Sequence, residues 1–139
     1  MARLILATRP DVLPLSFSGE SSDLVWFLSF AAVEQYGSQH ELSKAATVLR
    51  HKHKVRLRPL LRFTAHDDDD AEELERAWQD PAPLADVARR IAGLLEGDDR
   101  ELAAYTKDFP GLADQLRELA SLADVAAERG AQIRMTYEL

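Results

Sequence analysis

Basic side chains are concentrated in one short stretch, where they alternate with apolar residues. Seven Lys or Arg residues and no acidic residue lie between Leu42 and His66. On an extended strand, alternate side chains point to one face at intervals of about 6.6 Å, so these cations would form a straight stripe. We predict that the stripe binds a partner through five residues: Lys52, Lys54, Arg56, Arg58 and Arg62.

A cationic stripe of this kind suits two kinds of anionic partner. Against the acidic surface of another protein, it would control the rate and orientation of association. Against the phosphate backbone of a nucleic acid, it would bind without sequence preference and weaken strongly with salt. Bases stack on aromatic side chains, and Phe63 is the only aromatic residue near the stripe, on its apolar side. The sequence therefore favours a protein partner, with nucleic acid as the alternative.

Two other interpretations need no partner for the stripe. Residues 67–80 contain eight acids and one base, and this acidic segment could lie across the stripe and neutralise it. Lys and Arg also protect an exposed edge strand from pairing with other chains. The relative position of the acidic segment and the stripe decides between these interpretations and a binding surface.

The four histidines all lie between positions 40 and 66. His51 and His53 would share one face of a strand, as two ligands of zinc or another divalent ion often do. His66, followed by Asp67, could add a third ligand if the end of the strand folded back. A metal-dependent enzyme built around His51 and His53 is therefore a further hypothesis, although the flanking lysines would repel a cation.

The sequence contains no other arrangement that is typical of catalysis. Neither G-x-G-x-x-G nor the P-loop pattern occurs, so the glycine-rich cradles for dinucleotides and nucleotides are missing. There is no Cys, which excludes a thiol nucleophile, a thiolate zinc site and a disulfide scaffold. We therefore expect a non-enzymatic protein without a cofactor, such as an adaptor, a regulator or an inhibitor.

The order of predicted elements indicates the α+β class, in a single domain over residues 1–139. Alternating or short apolar runs predict a mixed sheet of three to four strands, at about 3–8, 12–18, 53–64 and 132–138. Pro14 and Pro59 restrict two of these strands to an edge of the sheet or to a bulge. Four to six helices account for most of the remaining chain, and the first and last strands could be neighbours.

Several helix ends can also be predicted. Ser38 with Glu41, and Asp98 with Glu101, have the spacing of a cap and its third helical residue. The helix predicted at Leu24 to Tyr36 is apolar nearly all round, so it lies either in the core or in an interface between copies. We expect self-association if the part that contains Trp26, Phe27 and Phe30, or the strand around Arg58, is left uncovered.

Overall composition agrees with a cytoplasmic protein. The chain has 139 residues, 46% of them hydrophobic and 29% charged, and a net charge of -7. No apolar run is long enough to span a bilayer, and the start of the chain lacks the apolar stretch of a signal peptide, so we expect no membrane association. The net charge divides into +7 over residues 42–66 and -14 over the rest. An anionic partner would therefore have to dock on one face.

Overall fold

The structure is a computed structural model that describes residues 2–139, and it has the α+β fold that the sequence predicts. Two short 3-10 helices, Glu34–Tyr36 and Arg58–Leu61, accompany the regular elements. The strands are β1 (Arg3–Arg9), β2 (Phe63–Ala65) and β3 (Gln132–Glu138). The helices are α1 (Ser22–Ala32), α2 (Glu41–His51), α3 (Ala71–Arg76), α4 (Pro81–Leu95), α5 (Arg100–Thr106) and α6 (Leu112–Glu128).

The three strands form a mixed sheet with β3 in the centre. β1 pairs with β3 antiparallel from Arg3 opposite Glu138 to Arg9 opposite Gln132. The predicted pairing of the first and last strands is therefore confirmed. β2 adds only a short parallel ladder on the other side of β3, with Phe63 opposite Met135.

Apolar faces of the helices and of the sheet meet in one hydrophobic core. α4 and α6 pack against each other, and both bury residues at helical spacing, such as Leu84 and Ile91 on α4 and Leu116 on α6. α1 packs on β1 and α2 and buries Phe27 completely. No helix among residues 2–139 is long and apolar enough to cross a membrane.

The strand predicted at 12–18 is wrong. The segment runs as a loop whose exposure alternates as a strand's would, with Leu15 and Phe17 packed against the core. None of its hydrogen bonds belongs to a ladder: the Thr8 hydroxyl accepts from Leu13 N–H and donates to the Asp11 carbonyl, and Ser18 N–H donates to the Glu118 carboxylate on α6 at 2.6 Å. A period of two predicts which side chains are buried, but a strand also needs a partner for its backbone.

The strand predicted at 53–64 is wrong over most of its length, since only Phe63–Ala65 joins the sheet. Residues 52–62, called the basic loop from here on, form an irregular segment followed by the 3-10 helix Arg58–Leu61. A proline has its φ fixed near −65° and has no backbone N–H to donate. These properties suit the first turn of a helix better than the hydrogen-bond ladder of a sheet. Pro59 accordingly lies in the first turn of that helix.

Helix caps differ by one or two residues from those predicted. His40, rather than Ser38, caps α2, and its Nδ1 accepts from Leu42 N–H at 3.1 Å. Asp99, rather than Asp98, caps α5 through Oδ1, which accepts from Glu101 and Leu102 N–H. Both shifts stay within the range in which helix boundaries are read from sequence.

Candidate partner-binding surface

The basic loop is fixed to the body of the protein at several points. Val55 N–H donates to the Leu49 carbonyl at 3.0 Å, and the Arg90 guanidinium donates to the His53 carbonyl. Further along, the buried Gln79 side chain donates from Nε2 to the Pro59 carbonyl at 2.9 Å. These bonds connect the loop to α2, α4 and the segment before α4, so it is held without belonging to a sheet.

Side chains of the basic loop divide into a buried set and an exposed set, as their alternation predicts except at Leu60, which shares the parity of the cations and is nevertheless buried. Val55, Leu57 and Leu60 are at most 3% exposed. Lys54 reaches its exposed position with a φ of +57°, a left-handed conformation that costs a residue with a Cβ about 1–2 kcal/mol. The five cations predicted as the binding surface are all exposed: Lys52, Lys54, Arg56, Arg58 and Arg62.

Lys52 differs from the other four cations because it forms an internal ion pair. Its Nζ lies 3.0 Å from Oδ2 of Asp99, which also lies 2.7 Å from Nε2 of His53. A carboxylate only accepts, so that His53 nitrogen carries the proton. The His53 and Lys52 hydrogen bonds, with that from Leu102 N–H, hold the pKa of the Asp99 carboxyl well below its usual range.

The remaining cations of the loop are not neutralised within the part of the chain that the structure describes. Over residues 2–139, no ion pair or side-chain hydrogen bond is formed by Lys54, Arg56, Arg58 or Arg62. The acidic segment pairs elsewhere, Glu75 with Arg9 at 2.6 Å and Glu72 with Arg76 at 3.4 Å. No ion pair among the described residues joins the acidic segment to these four side chains, although Glu73 of that segment lines one depression together with Arg58 and Arg62.

Two large depressions adjoin the basic loop, and Arg58 lines both, as it also lines a smaller one of about 150 Å³. The first, called the apolar groove here, has a volume of about 470 Å³ and lies between the loop and α4. Its apolar lining includes Val55, Pro59, Pro83 and Val87. Its charged residues are Lys54, Arg56, Arg58 and Arg90, with Asp86 as the acid.

The second depression, called the arginine cavity here, has a volume of about 520 Å³ and lies between the loop, α2 and α3. Leu57, Leu61 and Phe63 form part of its apolar lining, and Thr64 adds a hydroxyl. Its charged residues are Arg50, Arg58, Arg62 and Arg76, with Glu73 as the acid.

Arg50 is held at the arginine cavity by an acid behind it. Its Nη2 donates to both oxygens of Glu34, at 2.8 and 2.7 Å, and the Thr47 hydroxyl donates to the same carboxylate at 2.6 Å. Burial of Glu34 opposes its ionisation, but the hydrogen bonds from Thr47 and Arg50 outweigh burial and lower its pKa. The guanidinium is therefore fixed by a carboxylate that stays charged.

The histidines of the metal hypothesis are not gathered into a site. His51 is exposed at the end of α2, while the His53 ring contacts Asp99 beside the Lys52 ammonium. His66 contacts the Thr136 hydroxyl through Nδ1 at 3.0 Å. Within residues 2–139, no group of three or more His, Cys, Asp or Glu side chains is arranged to hold a metal ion.

Sequence reasoning missed the residues that complete the two depressions. Arg90 belongs to α4, Arg76 belongs to α3, and Thr64 is the middle residue of the short strand β2. An exposed basic residue on an amphipathic helix is an ordinary solvated side chain, so the sequence has no signal that separates Arg76 and Arg90 from other surface arginines. Only the packing of α3 and α4 beside the loop brings them to it.

Comparisons of the chain with protein-family models, with curated proteins and with solved structures found no significant match.

Proposed function

We propose that this protein is a non-enzymatic binding module whose basic loop and apolar groove dock on an acidic segment of another protein. One observation carries the proposal: Lys54, Arg56, Arg58 and Arg62 project into solvent from a backbone that is already fixed. Cations without internal partners attract an acidic surface and speed its association. A pre-organised loop also loses little conformational entropy on binding, which favours affinity.

The apolar groove supports a protein partner over a nucleic acid. Its lining combines apolar residues, including Val55, Pro59 and Val87, with four cations and one acid, Asp86. A partner segment with acidic residues around one apolar side chain matches both features, because a binding interface typically joins an apolar centre to a polar border. No aromatic residue lines the groove among the residues that the structure describes, so bases would find no stacking surface there.

The cytoplasm is the location that we propose for this function, following the composition of the chain. An adaptor, a regulator or an inhibitor remains the expected role, because each acts through binding. The positions of His51 and His53 do not support the metal-enzyme hypothesis.

An acidic peptide with a central leucine, EEDLEDE, tests the proposal directly. We expect fluorescence anisotropy to show that the fluorescein-labelled peptide binds the full chain. Its affinity should fall as salt rises from roughly 50 to 200 mM. Because each change removes a cation beside the groove, the double variant Arg56→Gln/Arg58→Gln should lower affinity by about tenfold or more. The variant Arg100→Gln/Arg129→Gln removes the same charge from exposed residues outside the loop and should have little effect.

Two results would overturn the proposal. One is an equal loss of affinity in both double variants, which would mean that net charge alone attracts the peptide. The other is tighter binding of a single-stranded DNA oligonucleotide of the same charge, which would establish the nucleic-acid alternative.

A further inference from the structure

Two residues that line the arginine cavity each have a buried polar atom without a hydrogen-bond partner among the described residues. Only three buried side-chain polar atoms lack a hydrogen-bond partner among residues 2–139, and two of them, Arg50 Nε and Thr64 Oγ1, belong to residues that line this cavity. A buried donor without a partner is costly, and native proteins leave few of them. Both residues belong to the lining of the same depression, which marks it as a candidate ligand site.

Charge around these atoms favours an anion over water alone. Arg58 and Arg62 have no ion pair within the described residues, and both line the cavity. Arg76 lines it as well, and its contact with Glu72 is a long and exposed pair, which is weak in water. Glu73 is the one acid in the lining and opposes an anion, and Arg50 is already paired with Glu34, so Arg58, Arg62 and Arg76 are the arginines that attract one.

We propose that the arginine cavity binds an organic phosphate, with its phosphoryl group on the arginines and its uncharged part on the apolar lining. Guanidinium groups recognise phosphoryl oxygens with paired hydrogen bonds, and a phosphate monoester offers three terminal oxygens to several donors at once. A carboxylate has only two oxygens and would leave more of these donors unused. Leu57, Leu61 and Phe63 provide the surface for the rest of the ligand.

The size of the cavity supports a ligand larger than inorganic phosphate. Its volume of about 520 Å³ lies within the range of small-molecule sites, which is roughly 300–1,000 Å³. The ligand could be a free metabolite or a phosphorylated side chain of a partner, because both present the same monoester. This site goes beyond the proposed function, since the cavity and the apolar groove share Arg58 but have otherwise different lining residues.

Phenyl phosphate is the simplest probe of this inference, compared with inorganic phosphate and with benzoate. We expect calorimetry on the full chain to give about tenfold tighter binding for phenyl phosphate than for either control, because only this probe uses both parts of the cavity. In a titration followed by NMR, the largest changes in chemical shift should be those of Thr64 and Arg62. Free phosphorylated metabolites and phosphopeptides can then be compared to distinguish the two sources.

Two variants and a matched control place the site. Arg62→Gln should lower the affinity for phenyl phosphate about tenfold or more. Thr64→Val keeps the shape of the side chain but removes its hydroxyl, and it should lower the affinity severalfold. Lys54→Gln removes one positive charge from the groove side of the loop and should change the affinity less than twofold. Thr64→Val should leave the binding of EEDLEDE unchanged, so each proposal can fail without the other.

Failure would take one of two forms. Phenyl phosphate that binds no tighter than benzoate would leave water as the occupant of the cavity. Equal losses in Arg62→Gln and Lys54→Gln, with none in Thr64→Val, would mean that the loop attracts anions by charge without a site.

Discussion

At the scale of single residues, Asp99 connects parts of the chain that are far apart in sequence. One of its oxygens caps α5 and the other contacts Lys52 and His53 at the start of the basic loop. The sequence predicts a cap at this place but assigns it to Asp98, the neighbouring aspartate. Nothing in the spacing connects position 99 with positions 52 and 53, because that contact depends on how α2 packs on α5.

The lowered pKa of Asp99 gives a prediction about stability and pH. A carboxyl that is easier to ionise in the folded protein stabilises the fold above its unfolded pKa of about 3.9, and this contribution disappears as pH falls through the folded value. Asp99→Asn keeps a capping side chain but removes the charge. We expect it to lower the melting temperature near neutral pH, and the difference from wild type to shrink below about pH 4.

Asp98→Asn is the matched control for this measurement. Asp98 is exposed, and its side chain forms no hydrogen bond or ion pair within the described residues. The melting temperature of Asp98→Asn should therefore follow that of the wild type at every pH. Thermal unfolding followed by circular dichroism over a pH series makes the comparison. A constant difference between Asp99→Asn and the wild type across the series would show that the carboxylate charge is not responsible.

At the scale of elements, the basic loop shows what alternation in a sequence can and cannot predict. It predicts the exposed cations and the buried Val55 and Leu57, and the structure confirms both sets. It does not predict the secondary structure, because an anchored loop with alternate side chains in the core produces the same pattern as a strand. β3, α2, α4 and α6 were predictable because their periodicity continues over several residue pairs or turns, whereas β1 was predictable from its short apolar run.

Gln79 provides a test of how firmly the loop is held. Its side chain is 5% exposed, and it donates to Pro59 while its backbone pairs with Ile133. Gln79→Ala leaves the Pro59 carbonyl without this partner, so we expect the free energy of unfolding to fall by about 1–3 kcal/mol. Hydrogen exchange of Leu60 and Leu61 should also become faster.

Urea denaturation measures the first effect, and Gln35→Ala is its control because Gln35 is exposed and makes no side-chain hydrogen bond in the described residues. An unchanged free energy in Gln79→Ala would mean that water replaces the side chain at no cost. The loop would then be held mainly by its contacts with α2 and α4.

At the scale of the whole molecule, charge stays segregated after folding. The chain carries -7 in total, yet the exposed side of the basic loop is cationic and its neighbouring acidic segment pairs with Arg9 and Arg76 instead. The sequence shows the segregation along the chain but not in space, because the direction of α3 depends on tertiary packing. This leaves a surface of one sign on a protein of the opposite sign.

Self-association remains a prediction that belongs to this scale. Phe27 is buried and Phe30 stacks on His40 at 3.6 Å, whereas Trp26 is 41% exposed. If copies associate through α1, the mass in sedimentation should rise above 15.6 kDa with concentration, and Trp26→Gln should restore that of one chain. Val125→Gln, at an equally exposed position on α6, is the control. A single-chain mass at the highest attainable concentration would end the prediction.

The guanidinium groups of Arg9 and Arg134 each lie 4.6 Å from the centre of the Trp78 ring. The chain contains only one other tryptophan, Trp26, so a Trp26→Phe variant has a single indole. The neighbours of Trp78 in sequence are Ala77, which lines the arginine cavity, and Gln79, which anchors the basic loop. Unfolding removes both cations from the ring, and its emission would report on this region alone. The protein thus contains its own fluorophore at the place where ligand and loop can be followed without a label.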